Sequence, residues 1–189
     1  MSATDKALST REKILRAAEE ILIAQSFSAI THRSVANMAG VPLGSTTYHF
    51  KDKAELINEV MRNILKDEIE RRSRINVVEA PNHEQVGDYL IELFVPTDFQ
   101  NRHRLAVLYE RLLEARNIEG LQPMVAQDQS HLFETVKRQF SIWGFEPFAG
   151  TAMAIVEGRA VQWLNQESDF EQLQMSIRDD LALLLPKRG

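Results

Sequence analysis

Apolar residues recur at helical spacing along almost the whole chain. Ile14, Leu15, Ala18, Ile21 and Leu22 form one face of a helix expected from about Thr10 to Gln25, opened by the capping box Ser9-Thr10-Arg11-Glu12. Phe27 and Ile30 follow in a loop and close a small core. Val35, Ala36 and Ala39 then mark a shorter helix, capped by Thr31, whose hydroxyl can reach the free amides of His32, Arg33 and Ser34. Leu56, Ile57, Val60, Met61, Ile64 and Leu65 share one face of a longer helix, expected over 53–74. Its last part, KDEIERRSR, is almost wholly charged and reads either as a connecting lever or as a solvated final turn. Pro81-Asn82 is the expected domain boundary. Beyond it, helices are predicted from Glu84 to Val95, from the Thr97-Asp98-Phe99-Gln100 box to about Arg116, from Pro123 to Trp143, from Pro147 to Leu164, and from Ser168-Asp169 to Pro186. The expected fold class is all-α.

The stretch AGVPLGSTTYHFKDKAEL, from Ala39 to Leu56, is the most informative. Gly40 can end one helix in the left-handed region at little steric cost. Pro42 suits a first helical position and holds Val41 extended. Two helices joined by a tight turn, with the small Ala36 four residues before Gly40, have the spacing of a helix-turn-helix, a spacing that ordinary helical hairpins also use. From Leu43 to Phe50 the second helix carries Ser45, Thr46, Thr47, Tyr48 and His49, too polar for a helix meant only for a core. Such groups can reach base edges and phosphates, while Val41 and Phe50 pin the helix to its own domain. Asp52 with Glu55 reads as a further capping box. Lys53, in the first turn that follows, opposes the helix dipole at a cost of a few tenths of a kcal/mol, roughly, which a phosphate partner would offset.

The run from Thr31 to Leu56, with its AGV turn, YHF and KDKAEL, resembles the N-terminal DNA-binding domain of the TetR family of bacterial transcriptional regulators, and the likeness extends over about Ser9 to Leu65. The resemblance implies a three-helix DNA-binding domain over 1–56 and a larger helical effector-binding and dimerisation domain over 57–189. It implies that His32 and Arg33 start the supporting helix against the DNA backbone or a base edge, that Leu43, Gly44, Ser45 and Thr47 face the major groove, and that Tyr48, His49 and Lys53 hold phosphates. Pro42, Thr46 and Thr47 depart from the family's usual serine or threonine cap, inward aliphatic residue and first aromatic.

The resemblance also implies an effector pocket among the middle helices of the second domain. The polar residues there are His103, Tyr109, Glu110 and His131, with Tyr89, Phe94, Phe99, Met124 and Phe133 as candidate walls. Each polar one has an ordinary alternative role at the surface or in a hydrogen-bonded core. Glu110 shares a helical face with Ala106 and Leu113 and is read as a buried carboxylate facing a cationic effector. The last two helices of such regulators pair with a partner's. Here Gly150, Ala154, Gly158 and Val161 on one and Leu173, Ile177, Leu181 and Leu184 on the other are the expected interface. Burial of both faces within one subunit is the alternative.

Composition then narrows the classes. There is no cysteine, so disulfides, thiolate metal sites and cysteine nucleophiles are excluded. No H-E-x-x-H, G-x-S-x-G or glycine-rich phosphate loop is present, and Asp128 with His131 is the only pair near a di-iron motif, so an enzyme is not expected, nor a cofactor or metal. The polar start MSATDKALSTREK lacks a signal peptide's apolar run and no segment is long and apolar enough for a membrane span, so a cytoplasmic location is expected. The net charge of −5 is unevenly spread: residues 1–56 carry seven Lys/Arg against six Asp/Glu, and the remainder carries 15 of the 22 Lys/Arg against 21 of the 27 Asp/Glu. Non-specific DNA affinity is therefore expected to be modest. The expected protein is a homodimeric repressor on a palindromic double-stranded operator, released by a small-molecule effector. An activator, a helical interaction adaptor and a helical enzyme are the alternatives.

Overall fold

The computed structural model describes residues 8–79, 81–95, 105–106, 109–110, 113–114, 117–166 and 169–186. Its helices are α1 (Thr10–Ala24), α2 (His32–Ala39), α3 (Leu43–His49), α4 (Lys53–Arg72), α5 (His83–Phe94), α6 (Leu121–Ile142), α7 (Ala149–Leu164) and α8 (Phe170–Leu184), with further helical residues at 105–106, 109–110 and 113–114. No strand occurs among the described residues, and the all-α class is what the chain adopts.

Caps decide the boundaries. Ser9 and Glu12 exchange the two bonds of the expected capping box. Thr31 caps α2 by accepting from the Ser34 amide, and Ser34 answers with its own hydroxyl on the Thr31 amide. Asn82 and Gln85 do the same for α5, and Asp169 accepts from the Gln172 amide to open α8. Gly120 and Gly144, at φ 82° and 75°, end the preceding segment and α6. Pro123 does not open α6, which starts at Leu121; it sits in the first turn, where its missing N–H is not needed. Pro147 lies in a 3₁₀ turn, Glu146–Phe148, just before α7.

The chain forms two compact units, 1–67 with 107–125, and 68–106 with 126–189. The division falls inside α4, after Asp67, and inside α6, after Val125, whereas the sequence boundary was expected at Pro81-Asn82. In the first unit Ile14, Leu15, Ala18, Ile21 and Leu22 of α1 meet Val35 of α2, Phe50, and Leu56, Ile57, Val60 and Met61 of α4. Leu121, fully buried, completes that core, with Ile118, Met124 and Val125 packed on it. Asn58 donates to the Glu119 carbonyl at 2.7 Å and fixes the turn before Leu121.

In the second unit α5 lies against α8 and α7. Gly87 permits the closest approach, since a Cβ there would come within 3.0 Å of Arg178 Cγ. Tyr89 meets Trp143 edge to face at 5.1 Å, and Phe140 and Phe145 extend that aromatic cluster. The charged end of α4 is not simply solvated. Glu68 and Asp128 are 9% exposed, Arg72 donates to Asp128 at 2.8 Å, and Arg71 donates to the Glu92 and Leu93 carbonyls at the end of α5.

Candidate nucleic-acid interface

The turn between α2 and α3 is set by two residues. Gly40 takes φ 64° and the Val41 amide donates back to Ala36 at 3.0 Å, so the chain reverses within one turn. Pro42 stands one place earlier than expected. It is the cap and not the first residue of α3, with φ −58° and ψ 144°, and its carbonyl accepts from Ser45 at 2.9 Å. It offers no side-chain cap, so α3 is held from within its own unit.

Two side chains do that holding. Phe50 is buried at the end of α3, under the Arg11 guanidinium at 5.3 Å from its ring centre. Thr46 is completely buried, and its hydroxyl donates to Leu43 O at 2.8 Å with His32 O 3.4 Å away, so threonine fills an inward position without an orphaned polar atom. Arg11 also pairs with Glu59 of α4 at 2.6 Å, which commits it to the fold.

With its inward face fixed, α3 presents the other. Tyr48 is 85% exposed and Leu43 46%, with Gly44 and Thr47 also exposed and Ser45 and His49 half-buried. The His49 ring stands edge to face with Tyr48 at 5.2 Å. Thr47 donates its hydroxyl proton to Gly44 O at 3.2 Å. On α2, Arg33 is exposed, and His32 is half-buried with Nδ1 unpartnered. Asp52 accepts from the Glu55 amide at 2.9 Å, and Glu55 in turn accepts from the Lys51 amide at 2.6 Å. Lys53, exposed, reaches only the Ser28 carbonyl at 3.5 Å. Among the described residues Arg33, Lys51 and Lys53 form no ion pair with a carboxylate, so their charge is available to phosphates. A short, polar, exposed helix on a rigid helical support defines a helix-turn-helix DNA-binding protein.

Residues 14–60 match the sequence profile of "Bacterial regulatory proteins, tetR family", a likeness that covers the helix-turn-helix domain. The transcriptional repressor BepR of Brucella suis is 24% identical over 180 residues, 88% of this chain and 86% of BepR. The repressor KstR2 of Mycolicibacterium smegmatis is 27% identical over 114 residues, 60% of this chain; the match spans only 53% of KstR2. A transcriptional regulator from Saccharomonospora viridis, solved in complex with choline, superposes with a TM-score of 0.76 at 16% identity over 89% of this chain and 93% of its own, a likeness of fold.

The other expected sites fare unevenly. Tyr89 and Phe94 are buried in the second unit, and burial raises the Tyr89 phenol above its ordinary value so that it stays neutral. Phe99 and His103 lie outside the described residues. Tyr109 is half-buried and His131 exposed. Glu110 is not the expected buried carboxylate: it is half-exposed, and Ala106 and Leu113 on its face are exposed. Met124 is half-buried and packs on the first unit's core.

On the last helices, Gly150, Ala154, Gly158 and Val161 are exposed along α7. Leu173, Ile177 and Leu181 are buried by their own subunit, α8 facing α5, and so are not an interface with a partner; Leu184 is half-buried. The free apolar groups of α8 are Met175 and Leu183, the latter 88% exposed. In the sequence Leu183 and Leu185 stand beside the main stripe as apolar residues beyond one buried face; Leu185 is buried and Leu183 is not.

Proposed function

We propose that the chain is a homodimeric repressor whose α3 enters the major groove of a near-palindromic operator and which a small-molecule effector releases. The observation that carries this reading is the exposed face of α3, with Leu43, Gly44, Thr47 and Tyr48 unburied beside the unpaired cations Arg33, Lys51 and Lys53. Relatives named as repressors, and a solved neighbour holding choline, support repression and an effector. The division of labour puts DNA reading in 1–56 and effector binding and dimerisation in 57–189.

Two copies would pair through the small-residue stripe of α7, Gly150, Ala154, Gly158 and Val161, where helices can approach closely, with Leu183 and Met175 of α8 beside it. Two reading heads then require half-sites about 34 to 36 Å apart, or a multiple. Because α4 continues from the first unit into the second, an effector that alters its course changes that spacing. A coupling of about 1 to 3 kcal/mol is enough for a useful switch.

The test is selection of bound duplexes from a random pool by the full chain at two salt concentrations. A recovered near-palindrome, lost with Tyr48→Ala, is the expected result, together with a monomer in sedimentation for Leu183→Glu. No enrichment at either salt overturns the reading.

A further inference from the structure

The reading helix lacks every side chain that makes a strong bidentate contact with a base. Between Leu43 and His49 there is no arginine, lysine, asparagine or glutamine. Guanine is read best by a guanidinium or ammonium on O6 and N7, and adenine by an amide on N6 and N7. α3 offers neither.

What it offers at its leading end is apolar. Leu43, the first residue of α3, leaves nearly half its surface in water although its own unit has a well-filled core. Gly44, next to it, is exposed, and a Cβ there would meet no atom of the described residues within 4 Å, so none of them covers this end of the helix. One turn on, Thr47 is exposed with its single hydroxyl proton already given to Gly44 O. With that proton turned back into its own helix, it presents a methyl group and the remaining lone pairs. In the major groove the one apolar feature of a base pair is the C5-methyl of thymine.

We infer that α3 reads its operator chiefly through thymine methyl groups, with Leu43 packing on one and the Thr47 methyl on a second. This rests on the DNA-binding reading above and adds the chemistry of recognition. Operator half-sites then carry thymine at two positions facing α3. Specificity there depends on a methyl that neither phosphate contacts nor hydroxyl hydrogen bonds can sense.

The experiment replaces single thymines of the selected operator by deoxyuridine, which keeps base pairing and every hydrogen-bonding group and removes only the methyl. Affinity of the full chain is measured for each duplex. Burial of one methyl predicts about a fourfold loss at each contacted thymine and none elsewhere. Leu43→Ala abolishes the discrimination at one of those positions, and Thr47→Ser, which keeps the hydroxyl, abolishes it at the other. Circular dichroism of both variants should match the parent, since both positions are exposed. An operator that is enriched but binds equally well with deoxyuridine at every thymine overturns this inference and leaves the regulator reading standing. Persistence of the discrimination in Leu43→Ala overturns the role of that residue. A pool without enrichment overturns the regulator reading and this inference with it.

Discussion

Arg72 donates from Nη1 to Asp128 Oδ1 at 2.8 Å, with the two side chains only 12% and 9% exposed, and so ties the last turn of α4 to α6 inside the second unit. Glu68, one turn earlier and equally buried, lies 3.8 Å from Arg72 Nε and also receives Arg71 at 3.1 Å. Buried charges of this kind are sensitive to losing one member. Asp128→Ala should cost about 3 to 5 kcal/mol in urea unfolding, because Arg72 is left without its closest carboxylate. The double replacement Arg72→Met, Asp128→Leu should recover most of that loss, and failure to do so would mean that the pair is held for more than its mutual charge.

Gly120 should not tolerate a side chain. At φ 82° an alanine is strained by about 1 to 2 kcal/mol, and its Cβ would stand 3.0 Å from Asn58 Nδ2, the group that fixes this turn. Gly120→Ala should therefore lower the unfolding midpoint of the first unit. Gly158→Ala, at a helical position with open space around it, should instead raise subunit stability by about 0.5 to 1 kcal/mol.

Thr46 predicts a contrast at one site. Its hydroxyl donates to a carbonyl already inside α3, so Thr46→Val should change stability by about 1 kcal/mol or less. Thr46→Asp places a carboxylate where no water reaches and should unfold the domain, seen as loss of cooperative melting.

Two carboxylates of the second unit oppose each other in pH dependence. Burial raises the Glu157 carboxyl above its ordinary 4.5, so the folded chain holds a proton that the unfolded chain has released. Its contribution is favourable below that value and is lost as pH rises through the raised one. Glu157→Gln should stabilise the protein at neutral pH and flatten this fall. Asp180 is lowered below its ordinary 3.8 by its hydrogen bond to Arg159, so its contribution is present above that value and is lost as pH falls further. Asp180→Asn should remove only the acid side of the curve.

The parts of this molecule that were legible in the sequence are those whose cause is local. Ser9 with Glu12, Thr31, Gly40 and the Asp52-Glu55 pair act on amides within a few residues, and the chain adopts the turns they specify. Partnership across the chain was not legible. The stripe Leu173, Ile177, Leu181 announces burial but not against what, and it meets α5 of its own subunit. Met124 and Val125 continue the periodicity of α6, yet they pack with the first unit. Glu110 has a helical face, and whether that face is dry depends on neighbours far away in sequence. Thr46 reads as a polar intrusion until its bond to Leu43 O is seen.

Because Leu121 completes the core beneath the reading helix, that core is encoded in two separated stretches, 1–67 and 107–125, with nearly forty residues of another unit between them. The reading head is therefore not a portable cassette. A fragment ending at residue 67 would leave a hole of leucine size under α4, and a chimera made by one crossover would join a foreign α6 to a socket shaped for this one. Exchange of DNA specificity between such chains is consequently confined to the exposed residues of α2 and α3, which can vary without disturbing the two-stretch core that supports them.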